Sequence, residues 1–354
     1  MMCDDEETFF VQKLIEGFLF SIEEYCRMYP NLDMSKDNDK AIQEIRDALI
    51  GTPYYKEYTN DYIQAVKELI LRYPNFKEYE EIFIPNEELL DLRKDKTINM
   101  PNILIIGEPS CGKSSFINQL CEIYEYSFRT SLGSGGVNFA LTGEDKGYVQ
   151  SGCGDVLRSM FSRNGQPIAN PLFILDEIDK GEYGTGHDRD LSGAFSVLLE
   201  PNNAKHFSDN FFKVEVDASH INYIAIANDI SRIPSHVLSR FPIKLHIRNY
   251  TEEEIKNVVL KNIYKEWIEV NSYDLDRLPK EIPEQTKSLI YELSHGHPRE
   301  IPAVLSRIAS KSIYKNKQGL SCSNFILKNS AIEELKKEFG LNPTEGKKRI
   351  GFAG

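Results

Sequence analysis

The stretch Ile103-Leu104-Ile105-Ile106-Gly107-Glu108-Pro109-Ser110-Cys111-Gly112-Lys113-Ser114-Ser115 decides the fold of this chain. Its middle, from Gly107 to Ser114, is a complete G-x-x-x-x-G-K-[ST] pattern. The four apolar residues before it read as a buried strand, and residues 115–120 read as a helix. The glycines let the backbone wrap an anion closely. The helix N-terminus turns its unpaired N–H groups toward the phosphates. Lys113 would reach the β- and γ-phosphates, and Ser114 would ligate Mg2+. Gly107, Glu108, Pro109, Ser110, Cys111, Gly112, Lys113, Ser114 and Ser115 are therefore the candidate nucleotide-binding residues. An accidental Gly-rich turn would need neither the strand before it nor the helix after it.

The rest of the composition bounds the partners. At 354 residues the chain has room for two or three domains, and 41% hydrophobic residues suffice for a core. A net charge of −12 disfavours nucleic-acid binding, which rests on neutralising phosphates. The six cysteines include no C-x-x-C pair, which fits a reducing cytoplasm better than a disulfide framework or a zinc site. The N-terminus is acidic, unlike a secretory signal, and no apolar run approaches a membrane span.

Outward from the loop the chain divides into four. Residues 1–90 read as a helical region, with Val11, Leu14, Ile15, Phe18 and Ile22 at helical spacing and Asn60 as the cap of a further helix. Residues 85–100 are charged and read as a linker. Within 91–250, strand-like runs at 102–106, 171–175, 221–227 and 241–247, and a weaker one at 127–130, alternate with helical stretches. That alternation predicts an α/β domain with a parallel sheet covered by helices. From Thr251, whose Thr251-Glu252-Glu253-Glu254 is a capping box, residues 251–340 read as an all-helical lid. Residues 341–354 form a basic tail.

The second chemical signal is Leu172-Phe173-Ile174-Leu175-Asp176-Glu177-Ile178-Asp179-Lys180. A strand delivers two adjacent carboxylates at its C-terminal end, where α/β sheets bind ligands. Asp176 would hold Mg2+, and Glu177 would orient the attacking water. Asn228 closes a third strand and would reach the γ-phosphate, unless it serves an Asx turn. Arg240 precedes the last strand and reads either as a finger on a neighbour's nucleotide or as a surface arginine. Arg299 opens a lid helix and would touch the γ-phosphate. His295 and His297 lack a completing carboxylate or cysteine and read as loop residues.

The order of phosphate loop, Asp-Glu-Ile-Asp, Asn-ended strand, Ser239-Arg240-Phe241 and lid arginine resembles an AAA+ P-loop ATPase, and within it the ATPase module of Lon. Ser131-Leu132-Gly133, Leu198-Leu199-Glu200-Pro201 and Phe207-Ser208-Asp209 add to the resemblance, which covers roughly residues 100–315. It implies ATP as the nucleotide, a sheet of order 5-1-4-3-2, a helical lid and a homo-oligomeric ring, a hexamer in the family. It assigns Asn228 as first sensor, Arg240 as trans finger and Arg299 as second sensor. It places Tyr148 and Val149 on an axial pore loop that grips a protein substrate, where the alternative is a buried tyrosine. It makes residues 180–190 a second pore loop, where the alternative is an ordinary surface loop. It also implies a stand-alone ATPase without a protease domain. A remodeller of proteins is the expected function. The alternative is a nucleic-acid-linked motor or a subunit of a restriction or anti-phage system.

Overall fold

A computed structural model describes residues 53–133, 137–144, 152–161, 167–184, 190–211, 215–317, 319–322 and 324–341. The helical reading over 6–52, the pair Tyr148 and Val149, residues 185–189 of the second loop and the tail from 342 lie outside them. The described residues fall into two units, one drawn from 53–69, 78–108 and 113–247, the other from 70–77, 109–112 and 248–341.

In chain order the strands are β1 (Ile103–Ile106), β2 (Ser127–Ser131), β3 (Leu172–Asp176), β4 (Phe207–Ser208), β5 (Glu215–Val216), β6 (Asn222–Ala227), β7 (Ile243–His246), β8 (Ile313–Asn316) and β9 (Gly319–Cys322). The helices used below are α1 (Asn60–Arg72), α2 (Lys113–Tyr124), α3 (Leu191–Leu198), α4 (Leu260–Val270), α5 (Glu284–Leu293), α6 (Ile301–Ser312) and α7 (Asn329–Glu338).

The first unit is built on one sheet of order β2-β3-β6-β1-β7, with every pairing parallel. Counting only these five strands along the chain, the order is 2-3-4-1-5, which from the other edge is the expected 5-1-4-3-2. The short ribbon β4-β5 is an addition. The apolar runs of β1 and β6 are buried at every residue, as strands covered on both faces must be. On one face Phe128, Phe173 and Tyr223 sit in register across β2, β3 and β6, with neighbouring ring centroids 5.6 Å apart. α3 adds Leu191 and Phe195 to the same core.

The N-terminal edge of the sheet is closed by polar groups. The buried Asn222 accepts from Met100 N (2.7 Å) and donates to Tyr124 Oη (3.1 Å) and Asn170 O (3.2 Å). Asn170, also buried, accepts from Lys56 N (2.8 Å) and donates to Lys56 O (2.9 Å) and Ile98 O (2.8 Å). This corrects the linker reading of 85–100. Leu90, Ile98 and Met100 are core residues, and Glu87–Asp91 is a short helix capped by Asn86. The cap of α1 is also corrected. Thr59 Oγ1 accepts from Tyr62 N (3.1 Å), and Asn60 is already the first helical residue.

In the second unit, the capping box at Thr251 and Glu254 forms as expected and leads through a π turn at Ile255–Val259 into α4. α4, α5, α6 and α7 bury Trp267, Ile290, Leu305, Ile308 and Leu335 together. The lid is not all-helical. β8 and β9 pair as an antiparallel hairpin after α6.

Candidate nucleotide site

β1 delivers Gly107 at the C-terminal edge of the sheet, and α2 begins at Lys113. Between them the chain turns through positive φ at Ser110 (69°) and Gly112 (92°), a conformation that favours glycine at 112. A Cβ on Gly112 would also collide with Tyr250 Oη. Asn75 Nδ2 donates to Cys111 O (2.8 Å) and Arg248 O (2.9 Å), which holds the outer half of the loop. Lys113 is buried, and its ammonium donates to Gly107 O (2.5 Å), Glu108 O (2.9 Å) and Asn228 Oδ1 (3.0 Å). A cation aimed into the curl of its own loop is poised to exchange these neutral acceptors for phosphate oxygens. Ser114 is half-buried and Ser115 exposed.

β3 ends at Asp176, in register with Ser131 of β2. Asp176 Oδ1 accepts from Glu177 N (3.0 Å), and Arg129 Nε stands 3.9 Å from Oδ2. Glu177 adopts a left-handed backbone (φ 57°, ψ 41°) and opens the 3-10 turn Ile178–Lys180. Non-glycine residues in that conformation cluster at functional sites. The Glu177 carboxylate is ion-paired with Lys180 and accepts from Ser131 Oγ (3.4 Å). The hydrogen bond that Lys180 donates to Glu177 pushes the pKa of its ammonium up. Gly133 keeps the space open, since a Cβ there would collide with Glu177 Oε2.

β6 brings Asn228 beside Lys113. The Asx turn belongs to the next residue, since Asp229 Oδ1 accepts from Ser231 N (3.0 Å). The structure thus brings Lys113 and Asn228 together at one end of the sheet, and sets Asp176 and Glu177 at the same end of neighbouring β3. The sequence reading assigned no role to Asp179, Ser131 or Asn75, and gave Lys180 only a place at the start of the second loop. For Asp179 and Lys180 the signal was present, because both belong to the same five-residue motif as Glu177.

The profile of the ATPase family associated with various cellular activities (AAA) matches residues 103–249. Residues 103–249 are thus an AAA ATPase domain, and ATP hydrolysis is its activity. The chain is also similar to Lon proteases. It is 28% identical to that of Mycoplasma mycoides subsp. mycoides SC over 252 residues, 71% of this chain and 31% of the relative. With that of Ureaplasma parvum serovar 3 it shares 30% over 250 residues, 67% and 30% of the two chains. With that of Wolbachia pipientis subsp. Culex pipiens it shares 31% over 206 residues, 54% and 24%. The chain spans under a third of the length of these relatives.

Within the AAA domain Arg240 follows the short helix Ser235–Leu238. Its Nη1 pairs with Glu200 Oε2 at 2.8 Å. Arg299 is exposed in the 3-10 turn Pro298–Glu300 that leads into α6 of the second unit. His295 Nε2 lies 3.3 Å from Phe339 O, and no metal-holding group of three ligands exists among the described residues. The ends of the 144–152 segment are tied together. Glu144 N donates to Gly152 O (3.1 Å), and the buried Asp209 accepts from Gly154 N (2.7 Å) and Phe211 N (3.0 Å). Asn210 Nδ2 donates to Gly143 O (3.1 Å). Asp209 and Asn210 therefore hold Gly154 and Gly143, on either side of the residues outside the description. No helix among the described residues is long and apolar enough to cross a membrane.

Proposed function

We propose that this chain is an ATP-driven remodeller of proteins that works as a homo-oligomeric ring, a hexamer as the resemblance to AAA+ ATPases implies. The observation that carries the reading is the convergence of Lys113 and Asn228 beside the strand that ends in Asp176 and Glu177. The likeness to Lon proteases is longer than the AAA match, over 252 and 250 residues in two relatives, and supports protein as the substrate. We assign it to the cytoplasm, where thiols stay reduced. None of the described cysteines is in a disulfide.

In this reading Lys113 binds the β- and γ-phosphates, and Asn228 meets the γ-phosphate as first sensor. Glu177 orients a water molecule and takes its proton as that water attacks the γ-phosphorus. The bond to the β,γ-bridging oxygen breaks, leaving ADP and phosphate. Glu177 must first leave Lys180 to do this. The Ser114 hydroxyl and the Asp176 carboxylate are hard oxygen donors that suit Mg2+, and both are partly accessible. When bound, that ion would neutralise charge on the β- and γ-phosphates. Arg240 acts on a neighbour's nucleotide and exchanges Glu200 for a phosphate, while Arg299 serves as second sensor. Tyr148 and Val149 grip the substrate chain by packing, without reading its sequence.

The test is ATP turnover by the purified chain, alone and with an unfolded protein or with nucleic acid. Stimulation by unfolded protein is expected, and Tyr148→Ala should abolish that stimulation while sparing basal turnover. Salt-sensitive stimulation by DNA or RNA instead would replace the remodeller with a nucleic-acid motor.

A further inference from the structure

The ladder of β6 ends at Ala227, which pairs with Ile106 of β1. The next two backbone N–H groups, of Asn228 and Asp229, therefore have no strand to bond to. Asn228 and Asp229 are themselves exposed residues, but their N–H groups are turned to an acceptor within the protein. Both find the same one. Asp179 Oδ2 accepts from Asn228 N (3.2 Å) and Asp229 N (3.1 Å). Asp179 is only 6% exposed, and its Oδ1 has no partner among the described residues. A buried carboxylate that spends one oxygen on two consecutive N–H groups fixes the backbone there through charge-assisted bonds.

What the clamp holds is informative at both ends. Asn228 is the residue whose Oδ1 meets Lys113 Nζ at 3.0 Å. Asp179 lies in the 3-10 turn Ile178–Lys180 that Glu177 opens. Asn228 comes from β6 and Glu177 from the end of β3, and one turn restrains both.

We propose that Asp179 is a positioning residue for ATP hydrolysis, which fixes the Asn228 amide over Lys113 and locks the end of β6 to the turn that begins at Glu177. Asp179 touches no reacting atom in this scheme. It acts through Asn228, so the inference rests on the first-sensor reading of that residue.

A double-mutant cycle in turnover tests it. N228A should lower kcat about 100-fold, the scale of losing one aimed polar group. D179A should lower kcat by roughly 10- to 100-fold, the cost of a small misplacement, with the dissociation constant for ATP within about threefold. On the N228A background, D179A should have no further effect on kcat, because its route is already cut. D179N keeps one carbonyl acceptor in the same shape and should restore most of the turnover lost in D179A. Multiplicative losses in the double variant would overturn the proposal, as would equal loss of kcat and ATP affinity in D179A. If D179A does not fold, D179S replaces it in the cycle, and a D179N protein that melts like wild type yet loses turnover by 100-fold also overturns it. N228A turning over ATP at the normal rate would instead remove the sensor reading itself, which keeps the two failures apart.

Discussion

The two edges of the central sheet bury polar groups in opposite ways. At the N-terminal edge, Asn170 and Asn222 each make three hydrogen bonds or more, to backbone groups of Lys56, Ile98 and Met100 and to Tyr124. Tyr124 Oη in turn donates to Asn170 O at 2.5 Å. At the C-terminal edge, a buried lysine rests on backbone carbonyls, Glu177 sits at positive φ, and Asp179 leaves one oxygen without a partner among the described residues. Fully satisfied polar networks rigidify a fold. Strain and unmet hydrogen-bonding capacity are tolerated where a ligand is to be met. The first edge holds the strands together, and the second is the one to which we assign phosphate and water.

Substitutions at the two edges should therefore separate turnover from stability. The largest effect is expected for Glu177→Gln. Hydrolysis should fall by a factor on the order of 1,000 while ATP binding and the melting temperature stay near wild type. At the other edge, Asn222→Ala strands Met100 N in the interior and removes the donor to Tyr124 Oη and Asn170 O. It should destabilise the first unit by about 2–4 kcal/mol and leave kcat unchanged in the protein that remains folded. Denaturant unfolding measures the first effect and single-turnover kinetics the second. If N222A lost activity without losing stability, the division between the edges would not hold.

The smallest effect concerns the lid and sharpens the contrast by pH. Hydrogen bonds from Arg248, and from the Thr251 N–H, hold the Glu254 carboxyl down at about 2, from an ordinary value of 4.5. A folded pKa below the unfolded one contributes stability that is complete above about pH 4.5 and is lost as the pH falls toward 2. Glu254→Ala should cost about 1 kcal/mol at neutral pH and remove that part of the acid dependence. The chain's single tryptophan, Trp267, is buried in the lid core and reports it by fluorescence. An acid titration identical in the variant would contradict the assignment.

Sequence made the catalytic edge legible and the structural edge nearly invisible. A phosphate loop and a carboxylate pair are local patterns, fixed by strand-loop-helix order over a dozen residues. The loop, the end of β3 and the Asn228 terminus of β6 could therefore be read directly. The Asn170–Asn222 closure joins residues 52 to 124 positions apart, and nothing local marks an asparagine as buried. The same holds for 85–100, whose charged residues hide Leu90, Ile98 and Met100. The β8–β9 hairpin follows α6 without a break, and four-residue strands give too little alternation to announce themselves. Asp179 was in plain view, but its role depends on two N–H groups 49 and 50 residues away.

The central claim is that the edge carrying Lys113, Asp176, Glu177 and Asn228 is an ATPase site separable from the scaffold that holds it. ATP turnover and thermal melting, measured on the same preparations of wild type, E177Q and N222A, test it most directly. The expected result is that E177Q loses turnover and keeps its melting temperature, whereas N222A keeps turnover when folded and melts earlier. Hydrolysis at the wild-type rate in E177Q would contradict the claim.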